Sequence, residues 1–220
     1  MEQKIIFLDI DGVLQPIGSQ KRFDHIRHDC NEEEKNDMPK LYKYLKREFN
    51  IDYRKHFKYD VAAVFYDWDK ESVNLLKLTL SLTDSLIVLS SAWRIDEGGY
   101  DRMKDFFTIH GLEKYYIDDT KIHGPKYNNY IDELMPHKSI DKAFIEEANA
   151  KYEEENGKDS SLDYRSIEIL EWLSRNPGVT KWVSIDDMWL NGLDGHFVGT
   201  YQRYTWEDAE KAIRILSDCF

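Results

Sequence analysis

The sequence predicts an α/β protein built on a doubly wound parallel sheet, and three features of its patterning carry that expectation. Apolar runs of strand length, Lys4 to Leu8, Ser85 to Ser91 and Thr180 to Asp187, lack the polar alternation of half-exposed strands and suit strands covered on both faces. Amphipathic helical stretches lie between and after them, at Asp69 to Leu82, Tyr100 to His110, Leu162 to Ser174 and Thr205 to Leu216. Each apolar run also gives way to acidic or hydroxyl residues, and in such a sheet the ligand site lies outside the carboxyl ends of the strands.

The first strand, KIIFL, runs into DIDGV, where Asp9 and Asp11 stand one residue apart. On an extended backbone such neighbours point to the same side, so two negative groups meet. Like charges that close raise each other's pKa or need a cation between them, and a hard divalent ion such as Mg2+ takes oxygen ligands. Gly12 lets the chain turn tightly there. The second strand ends in Ser90 and Ser91. The third follows the turn residues Asn176, Pro177 and Gly178 and ends in a further acidic pair, Asp186 and Asp187. Two helix starts carry capping signals, Ser160 with Asp163 and Thr205 with Asp208.

A chain of 220 residues holds one full domain with a sizeable core, so residues 1–220 are expected to form a single unit. Two stretches exceed a minimal scaffold: 16–68, read as a cap or flap insertion, and 118–159, read as a second one, with Glu153 to Glu155 as a solvated helix face. The net charge of -12 argues against coating nucleic acid by counterion release, though not against a local basic groove. The two cysteines, Cys30 and Cys219, form no metal-type spacing and no disulfide framework, which fits a reducing compartment. With no bilayer-length apolar run and no signal-peptide profile, a cytoplasmic location away from membranes is expected, with no stable partner evident.

Taken together, the motifs resemble the haloacid dehalogenase (HAD) superfamily of phosphohydrolases. FLDIDGV, Phe7 to Val13, resembles its first motif; IVLSS, Ile87 to Ser91, its second; SIDD, Ser184 to Asp187, its fourth. Arg165 in DYRSIEILEWL is the candidate third-motif base, where Lys is commoner, so Lys158 and Lys126 stay open as alternatives. SSAWR, RSIEILEWL and the tail LDGHFVGTYQRYTWEDAEKAIRIL give a narrower resemblance, to the HAD domains of Swiss Army Knife RNA-repair proteins. The resemblance implies a Rossmann-like, HAD-type sheet with helices on both faces and small cap-like insertions. It also implies a Mg2+-dependent phosphatase acting through an aspartyl-phosphate.

In that scheme Asp9 is the nucleophile and Asp11 the general acid and base. Ser90 binds a phosphoryl oxygen and Arg165 offsets the charge on Asp9. The metal falls to Asp9, the backbone carbonyl of Asp11, and Asp187 or Asp186, while Gly12, Ser91 and Arg94 border the substrate. Arg94 could equally pair with a structural acid. The implied substrate is an RNA or nucleotide end phosphate, with a small phosphorylated metabolite, a phosphoprotein or a non-catalytic interaction module as alternatives. Two further patterns have plainer readings: His25, His28 and Cys30 as a loop rather than a zinc site, and Phe57 to Asp69 as core or lid packing rather than a base-stacking surface.

Overall fold

The computed structural model describes residues 3–26, 37–95, 99–123 and 139–217. The apolar runs form the centre of a five-stranded, all-parallel sheet. Strand β1 (Gln3–Leu8) lies between β2 (Leu86–Leu89) and β4 (Val179–Asp186). β3 (Tyr116–Asp119) flanks β2 and β5 (Phe197–Gly199) flanks β4, giving the order β3-β2-β1-β4-β5. The winding reverses between β1 and β4, and that is where such sheets bind ligands. Register fixes what meets there. Leu8 pairs with Leu89 on one side and with Ile185 on the other, so Asp9, Ser90 and Asp186 emerge at one level.

Alternation along β1 divides the core. Ile6 and Leu8 pack on the face covered by α3 (Lys70–Thr83), α4 (Gly99–Ile109) and α7 (Trp206–Leu216), joined there by Leu76, Leu80, Phe106, Phe107 and Ala212. Ile5 and Phe7 point to the opposite face, where α6 (Tyr164–Arg175) contributes Ile169 and Trp172. Helices therefore cover both faces, as expected of a doubly wound sheet. The indole of Trp172 stands edge-on to Phe7, with ring centroids 5.4 Å apart.

The first extra stretch shares the main core. Residues 16–68 contain α1 (Met38–Phe49), the short α2 (Lys58–Ala62) and a π-helical turn, Ala63–Asp67. Leu41, Leu45, Tyr53 and Val61 from this stretch are buried in the same cluster as Ile6 and Leu8. The second stretch, 118–159, begins inside β3 and contains α5 (Lys142–Asn156). That helix buries no residue fully and packs through Phe144, Ile145 and Tyr152 on a small satellite cluster with Leu162 and Ile167.

Local signals were realised unevenly. Thr205 and Asp208 form a reciprocal capping box at the start of α7. Ser160 does not cap α6, which starts at Tyr164 with Asp163 as its N-cap and no side-chain cap bond. The Ser160 hydroxyl donates to the Gly157 carbonyl, and Asp163 accepts from the Asn191 amide at 2.8 Å instead. Because Leu45 is completely buried, Leu45→Ala should cost about 2–5 kcal/mol and lower the urea midpoint of the whole domain in a single transition. An early, separate transition confined to residues 16–68 would contradict this shared core.

Candidate active site

Three carboxylates converge at the reversal point. Asp9, Asp186 and Asp187 each offer an oxygen within 4.8 Å of the others, and the first two are buried. Such crowding needs positive charge. Arg165, in the first turn of α6, supplies it: its Nη1 lies 3.0 Å from Asp9 Oδ1 and 2.7 Å from Asp186 Oδ2. Burial works against the guanidinium charge, but Asp9 and Asp186 outweigh it and push the Arg165 pKa up. Asp186 also accepts the Met188 amide at 2.9 Å, yet burial raises its pKa above the ordinary carboxylate range. Burial and the charge on Asp9 raise Asp187 as well. Buried carboxylates this close together form a site short of cationic charge, and the all-oxygen donor set suits Mg2+. Of the alternative bases, Lys158 is exposed and Lys126 lies outside the described residues.

Gly12 makes the Asp187 position physically available. Its φ is +71°, and a Cβ added there would lie 2.4 Å from Asp187 Cβ and 2.6 Å from Asp187 Oδ2. Beyond Asp9 the chain does not stay extended. The amides of Val13, Leu14 and Gln15 all fold back onto the Ile10 carbonyl, which swings Asp11 out of the three-carboxylate group. The Asp11 carboxylate accepts from Gln15 Nε2 at 2.8 Å and from Trp93 Nε1 at 3.0 Å. Desolvation raises its pKa, the Trp93 N–H opposes that, and the charges of Asp9 and Asp187 reinforce it.

On the neighbouring strand end, Ser90 is buried and its hydroxyl has no hydrogen-bond partner among the described residues. A buried, unpartnered hydroxyl costs free energy unless a ligand satisfies it. Ser91 is also buried and turns the chain into a short helical segment, Ala92–Arg94. Arg94 faces inward: its guanidinium donates to the Thr120 carbonyl at 3.1 Å and also bonds the Ser91 carbonyl and Glu168. Of its two sequence readings, pairing with a structural acid is the one this geometry realises. Glu168 lies one helical turn beyond Arg165, so the pair ties the Ser90–Ser91 loop to the helix that carries Arg165.

A family model described as the HAD domain in Swiss Army Knife RNA repair proteins matches residues 5–209. The chain belongs to this family. Comparison with curated proteins and with solved structures gave no match.

Beside Asp11 this HAD domain has a cavity of about 590 Å³. Trp93 forms one wall; Phe23, Tyr59 and Asp60, all within the 16–68 stretch, contribute the others. The π-helical turn shapes it, as such turns often do at functional sites. It buries Asp67 completely behind the cavity wall, where the carboxylate accepts the Arg22 amide at 3.0 Å and pairs with Arg22 Nη1 at 2.7 Å. Arg22 Nη1 also reaches Gln15 Oε1 at 3.4 Å, linking this strut to the residue that holds Asp11. Gln15, Arg22, Asp67 and Trp93 were not singled out from sequence as site residues. SSAWR was visible as a motif, but nothing local says that its indole reaches a carboxylate 82 positions earlier.

The other expectations resolve simply. His25 stacks on Tyr66 at 3.8 Å and pairs with Asp37, while His28 and Cys30 lie outside the described residues. Phe57 to Asp69 is mostly packing, with Val61, Ala62, Val64 and Trp68 buried and Tyr59 left at the cavity. No described helix is long and apolar enough to cross a membrane.

The carboxylate shifts have a thermodynamic signature. A carboxylate whose pKa is raised on folding stabilises the fold below its unfolded pKa and loses that contribution as pH rises through the folded value. For Asp186 the window runs from 3.8 to about 7. His110, buried and lowered to about 4, acts oppositely: its contribution is present above its unfolded value of 6.5 and is lost as pH falls towards 4. The difference in Tm with and without Mg2+ isolates the carboxylates, and it should be larger at pH 8 than at pH 5. An equal gain at both would contradict metal binding by this group. Gly12→Ala should abolish most of the gain, because the added methyl displaces Asp187.

Proposed function

We propose that this HAD domain is a Mg2+-dependent phosphohydrolase that works through an aspartyl-phosphate on Asp9. We further propose that the phosphate it removes is carried by an RNA end or a nucleotide. One observation carries the chemical part. Asp9 is held by Arg165 beside two further carboxylates, and the neighbouring strand ends in the buried, unpartnered hydroxyl of Ser90. Acceptors for a cation and a donor for a phosphoryl oxygen thus flank one nucleophile. The family description, which names RNA repair proteins, supports the substrate part.

The residues divide the work as follows. An Asp9 oxygen attacks phosphorus as the bond to the leaving oxygen breaks, and Asp11 gives that oxygen its proton. A water then attacks the phosphorus of the aspartyl-phosphate, Asp11 takes the water's proton, and inorganic phosphate leaves with Asp9 restored. Ser90 Oγ donates to a phosphoryl oxygen in both steps. Arg165, charged at every accessible pH, pairs with Asp9 and orients it. Mg2+, held by Asp9 and Asp187 with Asp186 behind them, would offset the negative charge shared by the phosphoryl group and the carboxylates. The raised pKa of Asp11 suits a group that must carry a proton into the first step and accept one in the second.

Purified protein should hydrolyse p-nitrophenyl phosphate only with Mg2+, and Asp9→Asn should reduce kcat to background. A wild-type protein inert with Mg2+ would sink the enzyme reading. Asp11→Asn should lose far more rate on an alkyl phosphate than on p-nitrophenyl phosphate, whose leaving group departs without a proton. End-phosphorylated oligonucleotides should outcompete sugar phosphates, and inertness toward every oligonucleotide and nucleotide would remove the RNA and nucleotide assignment.

A further inference from the structure

The cavity beside Asp11 has no part in the phosphoryl chemistry itself, yet its place is decided by it. A leaving group has to project from the phosphorus toward the acid that protonates its oxygen, so on the phosphohydrolase reading the space next to Asp11 receives the alcohol. We propose that the cavity walled by Phe23, Tyr59 and Trp93 is a nucleoside-binding subsite, so that this domain selects phosphate esters whose alcohol is a nucleoside.

The walls are aromatic and firmly held. Phe23 and Tyr59 are half-buried, with centroids 6.1 Å apart and planes inclined at 48°. Arg22 lies over the first ring at 5.0 Å and Lys58 over the second at 4.9 Å. Trp93 is fixed by its bond to Asp11 and by edge-on packing against Trp68 and Phe106, at 6.0 and 6.2 Å. Rigid rings bordering an open cavity are what a base needs for stacking.

Charge narrows the choice further. Arg22 is neutralised by Asp67, and the carboxylates of Asp11 and Asp60 both border the space. Asp60 is held by Arg102 Nη1 at 2.8 Å. Against a second phosphate on the leaving group stand the carboxylates of Asp11 and Asp60; of the cations nearby, Arg22 and Arg102 are each paired with an acid, and Lys58 lies over the Tyr59 ring. A neutral alcohol with N–H and O–H donors would meet acceptors at Asp60 and at the Gln15 side chain. At about 590 Å³ the space also exceeds what a single six-membered ring fills, while a sugar with its base makes use of it.

Binding to Asp9→Asn in the presence of Mg2+ tests this separately from turnover. Calorimetric Kd values would be measured for adenosine 5′-monophosphate, cytidine 3′-monophosphate, ribose 5-phosphate and phenyl phosphate. At least one nucleotide should bind about tenfold tighter than ribose 5-phosphate and phenyl phosphate. Phe23→Ala/Tyr59→Ala should erase that preference, and Tyr59→Phe should keep most of it. Equal affinity for all four compounds overturns the nucleoside assignment, as does a preference that survives the double substitution. If the double variant does not fold, the ligand ranking of Asp9→Asn and the Tyr59→Phe result decide. An inert wild type alongside a clear nucleotide preference would instead count against the hydrolase chemistry and leave the subsite standing.

Discussion

The contact between Arg165 and the carboxylates of Asp9 and Asp186 is the constraint on which the rest of the site depends. A doubly wound sheet brings the ends of β1 and β4 together, and both ends here are acidic. Without compensation, buried carboxylates so close would exchange protons rather than stay charged. A single guanidinium nitrogen shared between Asp9 and Asp186 supplies that compensation. Removing the arginine would leave uncompensated buried charge, which costs far more than the pair itself contributes. The helix α6 that delivers this residue is in turn locked to the sheet by Ile169 and Trp172.

Much of the architecture around that contact lies far from the reacting atoms. Glu168 and Arg94 join α6 to the loop after β2, so the hydroxyl of Ser90 and the charge of Arg165 are set by one framework. On the other side, Asp67 fixes the Ser19–Arg22 segment, and Arg22 meets the amide of Gln15 that orients Asp11. Asp9 is therefore held from one face of the sheet and Asp11 from the other. On the proposed subsite, specificity would change through Phe23, Tyr59 or Asp60 without moving Asp9, a common division between loops and scaffold.

How legible this was depends on how local each signal is. β1 and β2 carry continuous apolar runs, and β4 carries Trp182, Val183 and Ile185 ahead of its acidic end, so these three could be read directly, whereas β3 and β5 could not. YIDD and FVG are short, and the acids of β3 are absorbed by contacts invisible in sequence, Asp118 with the Trp172 indole and Asp119 with Tyr116. Asp9, Ser90, Arg165 and Asp187 stand out because each sits at the end of a strand or the start of a helix. Trp93, Gln15 and Asp67 act through bonds to residues made adjacent only by folding. The false cap at Ser160 has the same origin: Asp163 bonds Asn191, 28 positions away, in place of the local partner its spacing offered. Equally, 16–68 reads as an insertion because it breaks the strand-helix alternation, while its burial of Leu45 and Tyr53 is a tertiary fact.

The strand order β3-β2-β1-β4-β5 also has a temporal meaning. During synthesis β1, β2 and β3 emerge first and can pair, but the far side of β1 has no neighbour until residues 179–186 arrive. Through that interval an apolar strand presents an open edge, the geometry most prone to pairing with another chain. Asp9 waits through about 156 residues of synthesis for Arg165 and still longer for Asp187. Asp9 thus gains Asp186 and Asp187 as neighbours in the same event that closes the open edge of β1.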